Sequence, residues 1–141
     1  MKFKGTIIIT DPCYLCTDND YERTNYGKEL DKLGFTNYLV ENTGYGDWIN
    51  AIFQDDGTRL GDFCADSGQV CVVLAEDLLK YEAEFAPVIE KPSACYAVIR
   101  DFEGEIEIDT SDSNWTMIYG KGNINFSSCS ADAEDDDWSL D

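Results

Sequence analysis

Apolar and polar positions fall along this chain in short runs, most with the two-residue period of a strand and two with helical spacing. Residues 4–10, Lys-Gly-Thr-Ile-Ile-Ile-Thr, form a β-branched run closed by Asp11 and Pro12, which predicts a buried strand. Residues 18–25 are polar and turn-like. Residues 28–34 predict a short helix closed by Gly34 as its C-terminal cap. Strands are expected over 37–41 and 48–53, with a hairpin-type turn at Asp55-Asp56-Gly57. Residues 70–75 form a continuous apolar strand. Over 76–85, Leu78, Tyr81 and Phe85 recur at helical spacing behind early acids, and Pro87 is expected to stop that helix. Four short strands follow, over 95–102, 105–109, 115–119 and 123–127, with turns at Glu103-Gly104, 111–114 and 120–122. The expected architecture is α+β: a mainly antiparallel bent sheet or partial barrel with one or two helices. One domain spans 1–129, and 130–141 is expected as a flexible acidic C-terminal tail. Trp48, Trp115 and the isoleucines at 7, 8 and 9 are expected in the core.

Length and composition fit that picture. The 141 residues are 43% hydrophobic, enough for a packed core, so the acidity belongs to a folded protein. The net charge of −19 argues against direct nucleic-acid binding and against anionic membrane surfaces. No apolar run approaches the length of a membrane span, and residues 1–10 lack a signal-peptide core, so a cytoplasmic location is expected. The six cysteines (13, 16, 64, 71, 95 and 129) are then expected as reduced thiols. Histidine is absent, which removes the usual general base and the commonest metal ligand.

The charge is concentrated. Residues 101–141 hold twelve carboxylates against one cation, Lys121. Asp101, Glu103, Glu105, Glu107 and Asp109 alternate with apolar or small residues, which in a strand puts Glu103 to Asp109 on one face with Phe102, Ile106 and Ile108 on the other. Carboxylates two residues apart then lie roughly 6.6 Å from one another, a step comparable to that between phosphates on a nucleic-acid strand. Asp112 extends the ladder. Asp132, Glu134, Asp135, Asp136 and Asp137 form a second block ahead of Trp138, where acids would steer association and the indole would anchor in a pocket. In composition this block resembles the acidic, aromatic-ended tails of bacterial single-strand-binding proteins. A solvated outer face for the ladder and a solubilising bristle for the tail are the plainer alternatives.

Other motifs carry less. Cys13-Tyr-Leu-Cys16 has no second cysteine pair at matching spacing and no histidine, so no metal is expected. The run from Asp18 to Glu29 echoes a calcium loop but has Arg23 where a glycine is required. Asp66-Ser67-Gly68 resembles the Asp-Ser/Thr-Gly of retroviral-type aspartic proteases, and residues 117–121 resemble a later segment of that fold. Such a resemblance would imply a dimer with Asp66 in a proton-sharing dyad. An Asp-Ser-Gly turn ahead of a strand is the simpler expectation.

Taken together, Ile8-Ile-Thr-Asp11-Pro12-Cys13-Tyr14, Gly46-Asp47-Trp48 and Ala65-Asp66-Ser67-Gly68 resemble motifs of small uncharacterised proteins of phages and prophages of Gram-positive bacteria. By analogy with acidic phage anti-defence proteins, the resemblance implies a non-enzymatic inhibitor. It would mimic nucleic acid to block a cationic site on a host defence protein such as a CRISPR effector or restriction enzyme, without cofactor, in the host cytoplasm. The alternative is a sponge for a signalling nucleotide, with Tyr45 and Trp48 stacking the base and Arg23, Arg59 and Arg100 as clamps. Aspartic-protease activity is the third reading.

Overall fold

The computed structural model describes residues 1–15, 25–42, 48–65, 67–91, 95–112 and 115–123. Seven strands, β1 (Lys2–Thr10), β2 (Tyr38–Asn42), β3 (Trp48–Gln54), β4 (Arg59–Ala65), β5 (Gln69–Leu74), β6 (Tyr96–Asp112) and β7 (Trp115–Asn123), form one sheet in the order β2-β5-β1-β6-β7-β3-β4. Every pairing is antiparallel except β3 with β7. Helices α1 (Tyr26–Lys32), α2 (Ala75–Tyr81) and α3 (Ala86–Glu90) complete the described part. The architecture is α+β and mostly antiparallel, as the sequence patterning predicts. Among the described residues no helix is long and apolar enough to cross a membrane.

The run Ile7-Ile8-Ile9 explains the layering. Strand geometry sends alternate side chains to opposite faces, and here both faces are covered, so all three are fully buried. Each contributes roughly 1.5–3 kcal/mol of burial. Ile8 faces a cluster with Leu15, Leu30, Phe35, Val73, Leu78 and Val98 under α1 and α2. Ile7 and Ile9 face a second cluster with Ile52, Phe63, Val72, Ile99, Phe102, Ile106 and Ile118. Among the described residues no helix contributes to that second cluster. Instead the sheet curls until β4 meets β1 and β6.

Helix α1 ends on the expected glycine. Gly34 takes φ +93°, its N–H bonds Asp31 O at 3.1 Å and the Phe35 N–H bonds Leu30 O at 3.0 Å, a Schellman closure with Leu30 and Phe35 both in the core. The Tyr38 hydroxyl donates to Asp31 Oδ1 (2.6 Å) and Gly27 O (2.9 Å), tying β2 to α1. Its bond to Asp31 is the main cause of a raised Tyr38 pKa.

Three expectations are corrected. Residues 76–85 are not one helix: α2 stops at Tyr81, and Glu82 is extended (φ −150°, ψ 104°). Pro87 starts α3 instead of ending a helix, because in a first turn its missing N–H costs nothing. Tyr81 and Phe85 still pack beside Leu78, so the periodicity marked a buried face and not an unbroken helix. Of the four expected C-terminal strands, the first two are one strand, β6, and the third lies in β7. Glu103-Gly104 and Gly120-Lys121-Gly122 continue β6 and β7, and Gly104 pairs with Gly122 where the backbones lie too close for a Cβ. Glycine here marks a close approach and not a turn. Finally, β4 is a strand that Gly61, Asp62 and Arg59 hid from the period-two pattern.

The tail from residue 130 lies outside the described residues, as do residues 124–127 of the last expected strand. The side chains of Trp48 and Trp115 also lie outside the described part.

Candidate partner-binding face

The face of β6 depends on one irregularity. Pairing with β1 shifts between Gly5 and Ile7, so that β6 has one extra residue at Arg100-Asp101, and Asp101 takes φ +54°. Aspartate tolerates that left-handed conformation better than most residues. A bulge of one residue reverses the alternation. Ala97 and Ile99 before it and Phe102 and Ile106 after it therefore face the same cluster. Glu103, Glu107 and Asp109 are exposed on the opposite side, Glu105 is half-exposed, and Asp101 is exposed at the bulge. The alternation expected of the ladder is what the strand shows.

Its neighbours were not foreseen. Lys4 lies in register with Glu103, and Glu105 is flanked in register by Lys2 on β1 and Lys121 on β7. The Lys121 Nζ sits 3.4 Å from Glu107 Oε2, and the terminal amine of Met1 sits 3.6 Å from Glu105 Oε1. Two carboxylates about 6.6 Å apart repel by roughly 0.6 kcal/mol in water, and an opposite cross-strand pair returns about 0.2–1 kcal/mol. The two effects are of one size. The ladder from Glu103 to Glu107 is thus a mixed-charge belt, with Lys121 reaching Glu107, and Asp109 lies at its far end.

That end has aromatic company. Glu107 pairs with Tyr119, which pairs in turn with Phe53 on β3, and Asp109 pairs with Met117. The Phe53 and Tyr119 rings are 6.3 Å apart at 38° and only half-buried. Carboxylates beside aromatic faces suit guanidinium or ammonium groups, which ion-pair with the first and stack on the second.

Beside the belt is a cleft of about 660 Å³, lined by Lys2, Lys4, Lys121, Glu103 and Glu105 with Phe3 and Leu74. Sequence reading missed it. Lys2 and Lys4 have the i, i+2 spacing of a strand face, but only the register shows Lys121 arriving from β7.

Two of the singled-out motifs meet elsewhere. The carboxylate of Asp11, fully buried, accepts from Cys13 N (2.9 Å), Ser67 N (2.6 Å) and Ser67 Oγ (2.6 Å). It caps the 3-10 turn Pro12–Tyr14 and holds the turn into β5, where Gly68 takes φ +78°. Asp66 lies outside the described residues. Nearby Tyr96 has its pKa pushed up to about 12, first by burial and then by Cys95, Cys13 and Cys71. Because the folded value exceeds the ordinary 10, stability from neutral Tyr96 is complete below pH 10 and lost as pH rises towards 12. Absorbance at 295 nm should show a late-ionising component that is smaller by one tyrosine in Tyr96→Phe, and the variant's melting temperature should fall less over that range.

Of the other expected site residues, the backbone of Asp112 ends β6 in register with Trp115. The Asp112 side chain is outside the described part, as are Asp132, Glu134, Asp135, Asp136, Asp137 and Trp138 as whole residues. Of the nucleotide-sponge residues, Tyr45 and Arg23 lie outside the described residues. Arg59 is exposed on β4, and Arg100 Nη2 donates to Ile89 O at 2.6 Å at the end of α3. Arg100 is thus engaged with backbone and does not stand as an open clamp. Cys16 is also outside the described residues. Among those described, no three His, Cys, Asp or Glu side chains converge as a metal site.

No protein-family model, no curated protein and no solved structure matches the chain.

Proposed function

We propose that the protein is a non-enzymatic inhibitor that binds a cationic, nucleic-acid-binding protein through the outer face of β6 and β7. The observation that carries this reading is the set of alternate carboxylates on one exposed strand face of a protein with net charge −19. The register refines the contact. Glu107 and Asp109, beside Tyr119 and Phe53, receive the partner's arginines, which share Glu107 with Lys121, while Glu103 and Glu105 have lysines as cross-strand neighbours. Residues 132–137 add charge that speeds encounter more than it anchors. The resemblance to small phage proteins makes a host defence protein in the cytoplasm, a CRISPR effector or restriction enzyme, the partner of choice.

The test is capture from host lysate on the immobilised protein at about 50 and 500 mM salt. A nucleic-acid-binding protein should be retained at low salt and released at high salt, as expected when ionic contacts dominate. Its own DNA or RNA should compete for the same site. Glu107→Gln with Asp109→Asn should weaken binding about tenfold, equivalent to ~1.4 kcal/mol. Simultaneous binding of nucleic acid and this protein would sink the reading. A nucleotide that co-purifies and absorbs in the ultraviolet base band would favour the sponge instead.

The neutral amides are the right substitutions. Charge reversal at Glu105 would set a lysine between Lys2 and Lys121 and confound binding with cross-strand repulsion.

A further inference from the structure

The cleft beside the mixed-charge belt carries both signs of charge in an arrangement that the strands fix. Its volume of about 660 Å³ falls within the roughly 300–1,000 Å³ of small-molecule sites. Residues opposite one another in register, and residues two apart on a strand, share a face of the sheet. Lys4 and Glu103 therefore form one row of that face, and Lys2, Glu105 and Lys121 form the next. Within each row the signs alternate. Between rows, the diagonals from Lys2 to Glu103 and from Lys4 to Glu105 join opposite charges about 7–8 Å apart. Phe3 and Leu74 add an apolar side to the cleft, and both are anchored in the core cluster of Ile7 and Ile9. Asn37, also in the lining, is held in place by its side-chain amide, which donates to Lys2 O at 3.0 Å.

We infer that this cleft binds a small zwitterion about the length of a dipeptide, with its carboxylate on a lysine of one row and its ammonium on a glutamate of the other. Two extended residues span roughly 7 Å, which matches the diagonal. The terminal amine of Met1 already approaches Glu105 at 3.6 Å, which makes Glu103 the seat of the ammonium and Lys2 that of the carboxylate. The sign pattern selects against simpler ions. A free anion is repelled by the net charge of −19 and by both glutamates of the lining, and a free cation meets three lysines there. A zwitterion has no net charge for the whole molecule to repel, so it responds to the local alternation alone. Exposed cross-strand pairs are weak, so a ligand that offers each partner an opposite charge competes with them readily. Apolar side chains on the ligand would meet Phe3 and Leu74.

Glu107 and Asp109 take no part in this site, so the inference and the partner reading above fail separately. The experiment is a titration of the 15N-labelled full chain, followed by amide shifts, with the dipeptide Leu-Leu at about 50 mM salt. N-acetyl-Leu-Leu and Leu-Leu amide, which keep the apolar body and lose one charge each, are titrated alongside. Leu-Leu should give saturable shifts at the amides of Lys2, Lys4, Gly104 and Gly122, and each blocked form should bind roughly tenfold more weakly. Glu103→Gln should weaken Leu-Leu by about the same factor and leave the N-acetyl form unchanged. Three results would overturn the proposal: no saturable shift at these amides, a blocked form that binds as tightly as the zwitterion, or equal loss of both forms in Glu103→Gln. The comparison of blocked and free peptides needs no variant, so a folding defect in Glu103→Gln cannot hide the answer.

Discussion

Replacing Asp11 with alanine should destabilise the protein by about 3–5 kcal/mol, because three donors lose their acceptor and each buried one left unsatisfied costs about 1–3 kcal/mol. The lower bound allows for water reaching Ser67, which is half-buried, whereas the Cys13 N–H is sealed. The carboxylate joins two segments 56 residues apart, the Pro12–Tyr14 turn after β1 and the turn that leads into β5. Its loss therefore loosens the entry to β5, whose Val72 and Val73 are fully buried. In a domain of this size the melting temperature should fall by roughly 10 °C or more, at about 3 °C per kcal/mol. Ser67→Ala should cost less, about 1–2 kcal/mol, since Asp11 keeps Cys13 N and Ser67 N as donors. A double-mutant cycle should show strong coupling between the two residues. An Asp11→Ala protein melting within a degree or two of the unsubstituted one would show that the buried carboxylate is dispensable. The motifs Asp11-Pro12 and Ser67-Gly68 would then need a role other than this junction.

How much was legible in the chain follows from what each signal depends on. Local signals read well: the isoleucine run gave β1, Gly34 gave the end of α1, and the carboxylate alternation gave the exposed face of β6. Each rests on spacing within a few residues. Long-range signals did not read. Gly104 and Gly122 look like turn residues one at a time, and only their mutual register reveals a crossing. Lys121 is more than a hundred residues from Lys2 and Lys4, and all three are far in sequence from Glu105 or on other strands, so the ladder looked like bare charge until the pairing of β1, β6 and β7 set cations beside Glu105. The bulge at Asp101 belongs to the same class. Nothing in Arg100-Asp101-Phe102 announces an extra residue, yet without it Phe102 and Ile106 would face away from the cluster that holds Ile99. Asp11 was read as the end of a strand, and its bond to Ser67 was invisible at a separation of 56 residues.

The glycine crossing carries the other large effect, and it bears on the binding face. A Cβ at Gly104 would overlap the Lys121 carbonyl, and one at Gly122 would meet Glu103 O at 2.5 Å and Gly104 Cα at 2.7 Å. The atoms in the way are backbone, which cannot swing aside as the end of a side chain can. Gly104→Ala must therefore separate β6 from β7 at this pair, at a cost of about 3 kcal/mol, the upper part of the range for overpacked sites. Gly122→Ala should cost at least as much, because its φ of +124° adds backbone strain of about 1–3 kcal/mol. The double variant should fall short of the sum, since both substitutions break one contact. Denaturant unfolding would measure all three. The consequence for the surface is specific. Lys121 immediately precedes Gly122, so moving β7 away takes its ammonium from Glu107 and out of register with Glu105. Under conditions where the Gly104→Ala protein remains folded, the outer face should be more acidic and its partner binding more sensitive to salt. An unchanged unfolding midpoint in Gly104→Ala would mean that β6 and β7 do not meet at this pair, and the alignment of Lys121 with the carboxylate ladder would fail with it.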